Sequence, residues 1–170
     1  APNFSTGYPQ APILTLDQDG EQVAQIMVMA TKDCQMYYAL MPRGSAAPTA
    51  ADFRAGALPG NLGSGIVTLR KNTPFLLSRI NTSYLAEKTQ YDLYLWLSDA
   101  DNGKSSAVRR VQLTTNDITP PTIQELIVQS YNATSVTLRF ALDEPGVLSW
   151  FVAKRDEKVG INREEPTEAD

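Results

Sequence analysis

The chain has 170 residues, no histidine and one cysteine, Cys34, and these counts decide most of the chemistry open to it. Ser-His-Asp and Cys-His catalysis need an imidazole to take a proton near neutral pH, so neither can be built. A zinc site of Cys and His ligands and a CxxC redox pair fail on the same inventory. Cys34 itself reads as a small buried hydrophobe at the start of a strand. Gly103-Lys104-Ser105 copies the end of a phosphate-binding loop, but Ser98 stands where the first glycine must be. Asp99 and Asp101 would also meet the phosphates with like charge, so a hairpin is the better reading. Asp99-x-Asp101-Asn102-Gly103 matches the opening of a calcium loop whose twelfth position is Arg110 in place of a bidentate Glu. A looser calcium site would need Asp117, Asp143 or Glu144 to converge, against the default of solvated turn carboxylates. Glu164-Glu165 has the residue type for glycoside hydrolysis but sits in a loop. The expectation is no enzyme, no metal site and no cofactor.

Three sequons offer covalent chemistry instead. Asn3-Phe4-Ser5, Asn81-Thr82-Ser83 and Asn132-Ala133-Thr134 make Asn3, Asn81 and Asn132 candidate N-glycan acceptors, against the plainer reading of polar loops. Fifteen Lys and Arg against 19 Asp and Glu give a net charge of −4. That balance argues against a nucleic-acid or anionic-membrane surface, which needs concentrated positive charge. No apolar run reaches the ~18 to 20 residues that span a bilayer, so membrane insertion is not expected. The start at Ala1, without Met or a signal sequence, suggests a processed product or an excised piece.

Strands must position these residues. Short period-2 runs at 23–29, 35–40, 65–69, 74–80, 91–97 and 108–113 are bounded by turn signals, and long helical periodicity is missing. One helical turn is expected over Thr49–Ala55, after Pro48 and before Gly56. Asp101-Asn102-Gly103 suggests a type I′ hairpin turn. Such a pattern predicts an all-β fold, an antiparallel β-sandwich or barrel. If Tyr91, Leu93, Leu95 and Leu97 face its core, Tyr94 and Trp96 point outward beside one of Tyr37 and Tyr38. Tyr94, Trp96, Tyr37 and Tyr38 are therefore a candidate interaction face, for a neighbouring protein or for a sugar ring stacked on Trp96. The plainer alternative is cross-strand packing shielded by Arg109 or Arg110.

A repeat sets the domain plan. With a shift of 113, Val23, Met27 and Met29 fall on Val136, Phe140 and Leu142, and Tyr37, Tyr38 and Ala39 fall on Trp150, Phe151 and Val152. A five-residue insertion then aligns Pro48-Thr49-Ala50-Ala51-Asp52 with Pro166-Thr167-Glu168-Ala169-Asp170. The expected organisation is an N-terminal linker at 1–9 and a complete domain at 10–115. A Pro-rich linker at 116–121 leads to the first half of a second domain at 122–170. Half a sandwich leaves a face uncovered, so something must complete it.

Leu85-Ala-Glu-Lys-Thr89-Gln-Tyr91 resembles the L-x-x-x-T-x-Y of fibronectin type III domains. The resemblance implies a tyrosine corner formed by Leu85 and Tyr91. Ala133 to Phe140 resembles that family's second strand, with Phe140, and Met27 in the first repeat, where a Trp is usual. Asp117-Ile-Thr-Pro-Pro121, Glu144-Pro-Gly146, the aromatic pairs and Pro48-Thr49 are similar to tandem repeats of large bacterial, algal or protist cell-surface proteins. The class implied is immunoglobulin-like or fibronectin type III-like. It implies an extracellular structural or adhesive segment, a semi-rigid spacer and assembly surface in a coat or flagellar filament. Partners would be other domains of the same chain, neighbouring surface proteins and glycans. The competing reading is a carbohydrate- or receptor-binding module using the Trp96 face or the loop at 56–65.

Overall fold

Within residues 1–118 the alternating apolar runs form strands where the sequence anticipates them. The structure, a computed structural model, describes residues 1–20, 22–81 and 85–151. It divides into two compact units, Ala1–Ile118 and Thr119–Asp170. The first unit holds β1 (Ile13–Leu16), β2 (Gln22–Val28), β3 (Cys34–Pro42), β4 (Gly63–Leu69), β5 (Phe75–Asn81), β6 (Gln90–Ser98) and β7 (Arg109–Thr114). A helix, α1 (Ala50–Ala55), lies between β3 and β4. The pairings between these strands are all antiparallel, in sheets of order β1-β2-β5 and β4-β3-β6-β7.

One side of each sheet joins a shared core. Ala24, Ile26 and Val28 of β2 and Leu77 and Ile80 of β5 cluster with Met36, Leu40, Leu93, Leu95 and Leu97 from the four-stranded sheet. This corrects the strand phase used for the repeat. Met27 is half-buried on the other side of β2, and its neighbours Ile26 and Val28 are the core residues. A one-residue slip exchanges the two faces of a strand. A shift of 112 puts Ala24, Ile26 and Val28 in phase with Val136, Leu138 and Phe140.

Residues 1–9 are not a free linker. Phe4 is buried in the core, and its bridge to Ala30 is flanked by hydrogen bonds from Ser5 N to Met29 O and from Thr31 N to Asn3 O, both 2.9 Å. Burying the ring outweighs the freedom of the segment. At the other end Asn116 N donates to Gln22 Oε1 at 3.0 Å, and Lys88 pairs with Asp117. The unit therefore extends to Ile118, past the expected boundary at 115.

Two turns matter below. α1 has Thr49 as N-cap in a reciprocal box with Asp52, and Gly56 closes it in a left-handed conformation, as the sequence anticipates. The turn after β6 is not type I′, because Gly103 alone has positive φ there. Asp99 Oδ1 accepts from Asp101 N at 3.0 Å and Asp99 Oδ2 from Asn102 Nδ2 at 2.6 Å. Gly103 N closes the turn on Asp99 O at 3.1 Å, and Lys104 N donates to Asn102 Oδ1 at 3.0 Å. The Asp99 carboxylate winds the chain into a longer loop than a two-residue turn.

The second unit is a hairpin of β8 (Ile123–Tyr131) and β9 (Val136–Leu142). Asn132 N donates to Ser135 O at its tip, and Thr122 N and Oγ1 both donate to Asp143 at its base. Those two bonds hold the Asp143 carboxyl below its ordinary value. The expected third strand is not formed as far as Phe151. Trp150 and Phe151 lie in irregular chain and are exposed.

Candidate functional site

The aromatic face was the sharpest expectation, and the structure corrects it. Tyr94 and Trp96 do point away from the main core, but they are 4% and 0% exposed. They belong to a second core with Ala39 and Met41 of β3 and Phe53 of α1. Phe53 stacks on Trp96 with centroids 5.9 Å apart and planes 10° from parallel, and Tyr37 tilts against it at 5.0 Å. The Arg54 guanidinium lies 5.3 Å from the Trp96 ring centroid, a cation–π contact. Its Nη2 donates to Gly103 O at 3.3 Å, tying α1 to the turn after β6. The cover is thus Phe53 and Arg54, in place of the expected Arg109 or Arg110.

Tyr38 does not share this face. It packs against the main core, opposite Gly65 of β4. A Cβ at Gly65 would stand 2.5 Å from Tyr38 Oη, so the ring occupies the space a side chain would need. The sequence hint of this cover is Phe53, the lone large apolar residue in a capped helical turn. A helix with one aromatic on one side is a lid, and it needs something flat to cover.

Polar groups sealed in by this packing leave residual demands. Asp92, 1% exposed on the same side of β6, accepts from Gly44 N at 3.3 Å through Oδ2. Its Oδ1 and the Trp96 Nε1 find no hydrogen-bond partner among the described residues. Tyr91 Oη accepts from Ala86 N at 2.9 Å, and Leu85 packs on the main core. Cys34 is buried, and burial, then the charges of Asp99 and Asp33, push its thiol up to about 11. Among the described residues no group of three or more acidic or Cys side chains is placed to hold a metal ion. Asp143 is engaged with Thr122, while Glu164-Glu165 lies outside the described residues.

The sequons differ in setting. Asn3 is exposed, but Phe4 is in the core and the Ser5 hydroxyl is buried. For Asn81 only the backbone is described, paired with Val23, and Thr82 and Ser83 lie outside the described residues. Asn132 is exposed at the hairpin tip, and its Oδ1 accepts from Thr134 N, Thr134 Oγ1 and Ser135 N at 2.9, 3.1 and 2.8 Å.

An apolar surface does exist, on the second unit. Leu126 pairs with Phe140, Val128 with Leu138 and Tyr131 with Val136, so all six share one face of the hairpin. Their exposures run from 42% for Leu138 to 81% for Tyr131. Trp150 and Phe151 border a groove of ≈480 Å³ with Val136, Leu138 and Phe140. The opposite face carries Arg139, bound to Glu125 by bonds of 2.7 and 3.0 Å. Sequence reasoning foresaw an uncovered face in the second half, though not this set of residues.

No protein-family model, curated protein or solved structure matches this sequence.

Proposed function

We propose that this chain is a structural segment of a tandem array of immunoglobulin-like, fibronectin type III-like domains on a large extracellular or cell-surface protein. It serves as a semi-rigid spacer and as a surface for assembly with neighbouring proteins. The observation that carries the reading is repetition. After Pro120-Pro121, β8 and β9 rebuild the strand pair β1–β2 with the same apolar phase, Val136, Leu138 and Phe140 for Ala24, Ile26 and Val28. Two further features support it. With β1 to β7 read as strands A, B, C, C′, E, F and G, the sheets have the order A-B-E and C′-C-F-G, in keeping with a fibronectin type III sandwich. The Tyr91–Ala86 bond sits where a tyrosine corner would. Thr119-Pro120-Pro121 favours extended backbone between repeats. Exposed Asn132 suits a glycan in such a setting.

The ring platform that a carbohydrate-binding reading placed at Trp96 lies under Phe53 and Arg54. Among the described residues no helix is long and apolar enough to cross a membrane.

Pulling the whole chain from its two ends tests the spacer role. The expected trace has one discrete unfolding event releasing up to about 400 Å, the extended length of residues 1–118. Smooth extension with no such event would remove the mechanical reading.

A further inference from the structure

We propose that the Gln22 side chain is a latch that carries load across the first unit, from the chain exit at Asn116 into β2. The inference rests on the spacer reading above and deepens it by naming the path that tension takes. Gln22 opens β2 on the same side as Ala24 and is 3% exposed. A side-chain amide is seldom enclosed so fully unless its oxygen and nitrogen are both matched. Here both meet one backbone position. Asn116 N donates to Gln22 Oε1 at 3.0 Å, and Gln22 Nε2 donates to Asn116 O at 3.3 Å.

The exit is held on its other side as well. Thr115 N donates to Thr89 O at 2.9 Å, while Thr115 Oγ1 accepts from Thr89 N at 3.0 Å and donates to Ala86 O at 2.6 Å. Lys88 pairs with Asp117. Thr115 and Asp117 therefore grip the segment that leads into β6, and Asn116 between them grips β2. Since β6 belongs to the four-stranded sheet and β2 to the three-stranded one, the Gln22–Asn116 pair joins the two sheets where the chain leaves.

The other end of β2 receives the incoming chain. Phe4 bridges Ala30, with Ser5 N on Met29 O and Thr31 N on Asn3 O, and Gln10 N donates to Met27 O at 3.0 Å. β1 then runs antiparallel to β2 as far as Leu16, which lies opposite Gln22. Entry and exit thus sit at opposite ends of one strand, about 26 Å apart at ~3.3 Å per residue from Gln22 to Ala30.

Strand direction decides how this path responds to tension. Drawing Ala1 and Ile118 apart slides the segment 1–16 lengthwise along β2, and β7 lengthwise along β6. Ladder bonds lie across the strands, so a lengthwise pull loads many of them at once, whereas a crosswise pull opens them singly. Without the latch, tension at Ile118 would pass into β7 and the segment before β6. With it, the same tension also reaches β2, whose far end is bound to the incoming chain. The two sheets then bear the load together and do not slide past each other.

Constant-force pulling of the whole chain from its two ends gives the test, read as the dwell time before residues 1–118 unfold. Gln22→Leu removes both bonds and should shorten the dwell at least about tenfold. Gln22→Glu keeps the acceptor for Asn116 N, loses the donor, and should shorten it about threefold. The second variant carries the test if the first does not fold. A second geometry separates a load path from plain stability. With handles at Ala1 and at Ala107→Cys, an exposed position ahead of β7, tension bypasses Asn116, and buried Cys34 takes no handle. There both variants should match the unsubstituted chain to within about twofold, because the latch is not loaded. An unchanged dwell in the end-to-end geometry overturns the latch. Equal shortening in both geometries overturns it too, and makes Gln22 a stabilising contact with no special place in the path. Smooth extension of the unsubstituted chain removes the spacer reading and the latch together, whereas a discrete event that the Gln22 variants leave unmoved removes the latch alone.

Discussion

At the first position of β3, Cys34 is 6% exposed among the residues of the main core. Removing the thiolate from water, next to the negative charges of Asp99 and Asp33, favours the neutral thiol and raises it from 9.0 to about 11. The raised value fixes the sign of a pH effect. The stabilisation is fully present below pH 9 and is lost as pH rises through about 11. Iodoacetamide at pH 8 should therefore label Cys34 in the folded chain at least about tenfold slower than in urea, since both thiolate and access are scarce. Equal rates, read by mass spectrometry, would place the thiol at the surface. Cys34 was legible as a buried hydrophobe because it opens an alternating strand. The burial of Trp96 was not, because its cover comes from Phe53, 43 residues earlier in the chain.

For α1, six residues are too few to hold a helix by themselves. Its stability comes from the Thr49–Asp52 box and from Phe53 lying on Trp96. Thr49→Ala should cost about 1 kcal/mol through loss of the cap. Phe53→Ala should cost about 3–5 kcal/mol through lost burial and the cavity left over Trp96. Urea unfolding would measure both, and only Phe53→Ala should shift Trp96 emission to the red in the folded state. A cost under 0.5 kcal/mol for Phe53→Ala would mean the lid is ornamental. The six alternating runs match β2 to β7 to within about two residues because alternation and turn signals are local, whereas β1 and β8 are not among those runs. Phase was harder in β2. There Val23, Met27 and Met29 alternate as well as Ala24, Ile26 and Val28, and only the opposing sheet decides which set turns inward.

Across the molecule the two units differ in how much covers their backbone. β6 is flanked by β3 and β7 and buried on both sides from Tyr91 to Leu97, whereas the β8–β9 hairpin is exposed along nearly all its length. An isolated two-stranded hairpin is marginally stable in water. In dilute solution the amides of Leu93 to Leu97 should exchange with deuterium at least about a thousandfold more slowly than those of Val136 to Phe140. Comparable rates, followed by NMR, would mean the hairpin is as well held as the first unit. The proposed repeat is read from order along the chain, while the open face of the β8–β9 hairpin is a matter of what stands opposite. One feature of the first unit bears on how long such a molecule lasts. Asn-Gly is the dipeptide most prone to cyclise to a succinimide and deamidate, by attack of the glycine nitrogen on the asparagine side-chain carbonyl. Here Asn102 Nδ2 is held by Asp99, Asn102 Oδ1 by Lys104 N, and the Gly103 N–H by Asp99 O. The loop that replaces the simple hairpin turn thus restrains both reactants, and the folded chain slows a chemical clock that its unfolded sequence would leave running.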